Sequence, residues 1–113
     1  MTDATPVITQ KIDASEARRI GEDFVADHLG DQIGVGAPWR VVSSVHSAWV
    51  VPLLLSSPGY GIVGTVGVLV VDEEFGHITA WTTVKEIDAN IERVVAEKKE
   101  ELDSAFEHSK GGS

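Results

Sequence analysis

Between Gln32 and Val71 this chain carries a single fixed charge, Arg40. Around it stand Val41-Val42, Trp49-Val50-Val51, Leu53-Leu54-Leu55, Ile62-Val63 and the run from Val66 to Val71. β-Branched and aromatic side chains of this density suit a pleated, packed surface, so the stretch reads as the strands of an antiparallel sheet. Pro58-Gly59 and Asp72-Glu73-Glu74-Phe75-Gly76 break it into turns. Alternate side chains of a strand face opposite ways. Val66, Val68 and Val70 therefore point one way, and Leu69 and Val71 the other. A sheet with one wet face alternates apolar with polar residues, and this one does not. The strands are predicted to be apolar on both faces, and each face needs a cover.

The flanks supply two helices. Asp13-Ala14-Ser15-Glu16 has the pattern of a capping box, and Ala17, Ile20, Phe24, Val25 and His28 follow at helical spacing. This predicts a helix over 14–29, with Gly30 as its left-handed terminator. Thr83-Val84-Lys85-Glu86 repeats the pattern and opens one long helix to about residue 107, striped by Ile87, Ile91, Val94, Val95, Leu102 and Phe106. Residues 31–38 read as a loop. Trp39 to about Ser47 reads as a strand, Ala48 to Ser56 as its continuation or a second strand after a bulge near Ser47, Ile62 or Val63 to Asp72 as the next, and His77 to Thr82 as the last. Pro52 cannot donate to a ladder, so its strand is expected at an edge or bulged there. The fold class is α+β: an N-terminal helix, a three- to four-stranded antiparallel sheet and a long C-terminal helix. Residues 1–12 are expected to be a loose segment with a weak edge-strand pattern at Val7 and Ile8. Residues 13–108 form the single domain, and 109–113 a flexible tail. Two helices of this length cover one sheet face. The other is left for the end of the long helix or for a second copy, and a homodimer is the expected state.

Charge narrows the partners. Eighteen acidic against nine basic residues give −9, and residues 1–30, 31–83 and 84–113 each carry −3. No basic patch hides within this average, so neither nucleic acid nor an anionic membrane surface is an expected partner, whereas a basic protein is. The first residues lack the basic and apolar run of a signal peptide, which points to the cytoplasm. The chain has no cysteine, which removes thiol nucleophiles, disulfides and thiolate metal sites.

Few motifs carry chemistry. Gly59-Tyr60-Gly61-Ile62-Val63-Gly64 matches G-x-G-x-x-G, but a strand follows where the phosphate-binding motif requires a helix. It reads instead as a glycine-rich connection with Tyr60 at its tip. Asp72, Glu73, Glu74 and His77 cluster around a turn and read as a solvated hairpin. No two histidines stand at metal-binding spacing, and no serine stands in a nucleophile elbow. The chain is therefore read as non-catalytic, with no cofactor and no metal. Tyr60, Trp49 and Trp81 are the candidate partner-binding anchors, since aromatic residues dominate interface energies. His46, placed within the sheet, is the candidate ligand-binding residue of an alternative reading. In that alternative a small molecule sits between sheet and helices, gated by the 56–64 loop.

The hairpin Val70-Val71-Asp72-Glu73-Glu74-Phe75-Gly76-His77-Ile78 follows a helix and Trp-containing strands. Its pattern, hydrophobic-Val-Asp-x-x-x-Gly-x-hydrophobic, resembles two groups of small bacterial domains over residues 13–83. One is an immunity-protein family of polymorphic toxin systems, and the other is the PepSY-type domain linked to peptidase regulation. The resemblance implies a non-catalytic protein that binds another protein.

Overall fold

The computed structural model describes residues 11–111, and side chains as far as Ala105. The edge strand expected at Val7 and Ile8, the tail from 112, and the side chains of Phe106 and His108 lie outside the described residues. The chain is α+β, with a five-stranded antiparallel sheet between an N-terminal helix and two C-terminal helices.

Helix α1 (Ala14–His28) starts where Asp13 accepts from the Glu16 amide at 2.9 Å. The other half of the expected box is absent, because the Glu16 carboxylate turns instead to Arg19, at 2.6 Å. Ala17, Gly21 and Val25 form its buried stripe. A Cβ on Gly21 would stand 2.9 Å from Val51 Cγ1, so the bare glycine lets the helix lie close on the sheet. The helix ends on an extended Leu29, and Gly30 does not take a positive φ.

The strands are β1 (Ile33–Val35), β2 (Trp39–Val42), β3 (Ser47–Ser57), β4 (Gly61–Asp72) and β5 (Ile78–Trp81). Segment 31–38, expected as loop, thus contributes a short strand, and the strand expected to run to Ser47 ends at Val42. β3 is central: β1 and β2 pair along one side of it and β4 along the other, with β5 beyond β4. Pro52 is therefore in the middle strand and not at an edge. It is tolerated because its missing donor faces the interruption between β1 and β2. Val35 pairs with Leu53 and Trp39 with Val50, so three residues of the outer strands span two of β3. The Pro52 carbonyl points into the same gap and accepts from the Gly36 amide at 3.0 Å.

β4 carries two register shifts against β3. Leu53 pairs with Gly67 and Leu54 with Thr65, leaving Val66 as an extra residue; Leu55 pairs with Gly64 and Ser56 with Ile62, leaving Val63. Both extra residues are buried. Strict alternation would have put Val66 with Val68 and Val70. The bulge moves it to the face of Leu69 and Val71. At the other end of β4, the Asp72 carboxylate accepts from the Phe75 amide, and Gly76 takes φ 76°, closing the expected hairpin into β5.

Helix α2 (Val84–Glu97) has the full capping box of Thr83 and Glu86. Ile87 and Val94 are its buried residues, and burying each is worth about 1.5–3 kcal/mol. A Cβ on Gly64 would stand 3.0 Å from Val94, and Asn90 donates to the Val66 carbonyl at 2.8 Å, so α2 lies along β4. The single long helix expected here is broken at Lys98, and α3 (Lys99–Gly111) continues beyond it. Lys98-Lys99 interrupts the apolar stripe there, and beyond it Leu102 still packs against the core. Both α1 and α2 bury their stripes in one cluster with Val51, Leu53, Leu69 and Val71. They cover the same face of the sheet.

Candidate functional site

Among the described residues, no helix packs on the opposite face of the sheet. Register places Trp39 beside Val50, Val50 beside Val70, and Pro52 beside Val68. Leu54 and Val41 project from this face too. On it Val50, Pro52, Leu54, Val68 and Val70 of β3 and β4 are half-buried, while Trp39 is 49% exposed and Val41 45%. None of these side chains belongs to the core cluster or packs against it. The one ionised side chain that register puts on this face is Asp72, at its end, where the carboxylate already caps the hairpin turn.

Trp81 lies on the helix side. It pairs with Leu69, whose side chain is fully buried under the helices. Its ring centroid is 6.3 Å from that of Phe24 on α1, and Phe24 is 4.7 Å from His28. Yet Trp81 remains 53% exposed. Asp23 and Asp27 flank Phe24 in the chain and are exposed, with Asp23 paired to Arg19 at 2.8 Å.

The other two candidate anchors are engaged within the chain. Trp49 is partly buried and donates its indole N–H to the Ile12 carbonyl at 3.1 Å. Tyr60 lies at the far end of the β3–β4 hairpin and donates to Glu101 at 2.6 Å, with Lys98 Nζ 5.9 Å from its ring centre. The hydrogen bond to Glu101 holds the phenol above its ordinary value. It ties the hairpin tip to the start of α3. The three aromatic residues are thus not brought together. His46 lies in the exposed β2–β3 turn, where its backbone bonds to Ser43, and not between sheet and helices. Surface depressions occur at the start of α1 and at the α2–α3 junction, and His46 lines neither.

The acidic turn also differs from the solvated hairpin expected of it. Glu73 is 5% exposed. It accepts from Arg40 at 2.5 and 3.1 Å, with Lys11 Nζ at 3.6 Å, and its backbone carbonyl accepts from the Ile12 amide. The Arg40 hydrogen bonds hold its carboxyl below the ordinary range, against the opposing effect of burial. This cluster pins β2, the β4–β5 turn and the segment before α1 together. Arg40, the one fixed charge between Gln32 and Val71, is the sequence signal for a cation with a dedicated partner. The pairing of Phe24 with Trp81 had no such signal. Among the described residues no group of three or more His, Asp or Glu is arranged to hold a metal ion, and no helix is long and apolar enough to cross a membrane.

Comparison with known proteins returns no matching family model, no matching curated protein and no matching solved structure.

Proposed function

We propose that the protein is a non-catalytic protein-binding module, an accessory or immunity-like factor, that takes a basic protein partner at Trp81. The observation that carries this reading is the exposure of Trp81. An indole packed on Phe24 and still half open to solvent, on a chain of net acidic charge, is a prepared contact for a cationic side chain. A Lys or Arg over such a ring gains about 0.5–2 kcal/mol, more as the site dries. The −9 charge raises the rate at which a basic partner arrives. The β4–β5 hairpin, whose pattern resembles that of immunity and PepSY-type domains, agrees with a role in binding another protein.

Affinity capture from the source cells, with wild-type protein and Trp81→Ala side by side, tests it. The expected result is a basic protein retained by the wild type and released by moderate salt, and at least tenfold less of it on the variant. Equal retention by both, or no retained basic protein, overturns the reading.

A further inference from the structure

The face that is bare among the described residues lies on the other side of the molecule from Trp81 and is independent of the partner reading. We propose that it is the seat of a second copy of this chain, the two sheets stacking face to face with their helices outward.

Chemistry selects the occupant. A partner that docked through charged groups would strip them of water against a face whose one carboxylate, Asp72, is already engaged with the Phe75 amide. What the face accepts is a surface that is apolar and equally free of charge. The same face of another copy is such a surface. A two-fold axis through it makes the contact self-complementary, so Trp39 of each copy serves as an aromatic anchor at the margin.

Net charge does not oppose this arrangement. The helices of each copy carry most of its ionised residues and point away from the axis. With layers roughly 10 Å apart, the two helix layers are separated by about 30 Å. That is several times the Debye length of about 8 Å at physiological salt, so −9 on each copy is largely screened.

Area is sufficient. The face is four strands wide at about 4.8 Å each, and about eight residues long at about 3.3 Å each. This gives a footprint of roughly 500 Å² per copy and about 1,000 Å² for the pair, the lower limit for a specific interface. A dimer in exchange with monomer is the expected state, with its population rising with concentration.

Sedimentation of the full chain from micromolar to roughly millimolar concentration reads this directly. The wild type should move from 12.1 kDa toward twice that mass. The double variant Trp39→Lys/Val41→Lys should stay a monomer with an unchanged circular dichroism spectrum. Val84→Lys, at an exposed position on the helix side, should dimerise like the wild type. Because the natural chain has no cysteine, a second measurement does not depend on the lysine variants folding. Val70→Cys treated with a short bismaleimide should give covalent dimers, and Glu22→Cys should not. A wild-type monomer throughout the range overturns the proposal. So does a dimer that survives Trp39→Lys/Val41→Lys, or one that cross-links through Glu22→Cys in place of Val70→Cys. Failure here leaves Trp81 capture untouched, and failure of capture leaves the sedimentation result untouched.

Discussion

The Gly36 amide donates to the Pro52 carbonyl across the gap between two strands that would otherwise be one. A proline in the central strand and a glycine in the broken outer strand are thus parts of one arrangement. Proline removes a donor from the ladder, and the outer strand breaks where that donor would have been used.

Gly36 must also stay bare. A Cβ there would stand 2.9 Å from the Pro52 ring and 3.1 Å from Leu54. Gly36→Ala is expected to lower stability by about 1–3 kcal/mol through overpacking. Urea denaturation of the variant against wild type measures it. A midpoint equal to or above the wild type would mean that the β1–β2 break can shift to make room.

Glu73 sets an acid limit on stability. Its folded pKa lies below the ordinary 4.5, first because of Arg40. A group depressed on folding stabilises fully above its unfolded pKa, and this is lost as the pH falls through the folded one. Glu86, lowered by the Thr83 amide, has the same sign. Glu73→Gln should therefore be less stable than wild type at neutral pH, with the gap closing as the pH drops below 4.5. Urea midpoints measured at several pH values check this, and a gap that does not change with pH would count against it.

The two faces of β3 give a third test. Leu53 is fully buried under the helices, while Leu54 beside it is on the bare face. In dilute solution Leu53→Ala should cost about 2–5 kcal/mol, and Leu54→Ala about 1 kcal/mol. Equal losses would mean that the outer face is covered even in the monomer.

Much of this was legible in the sequence because it is decided locally. Asp13 and Thr83 start helices through side chains that reach amides three residues on. Gly76 closes a turn that needs a positive φ. The turns after Ser57 and Asp72 follow from glycine, proline and acidic residues, and the apolar runs between Trp39 and Val71 have the composition of sheet strands. Other features depend on what lies across the sheet. Periodicity says that alternate residues share a face, but a single extra residue reverses the alternation, as Val66 shows. It cannot say which of two apolar faces the helices take. Gly21 and Gly64, which let α1 and α2 approach, settle that through close contacts between distant segments. In the same way, Glu73 is buried because Arg40, thirty-three positions earlier, is brought to it across β3. The sequence determines the pieces and their greasiness, since those depend on near neighbours. Tertiary packing decides which greasy surface remains uncovered, because that depends on which segments meet.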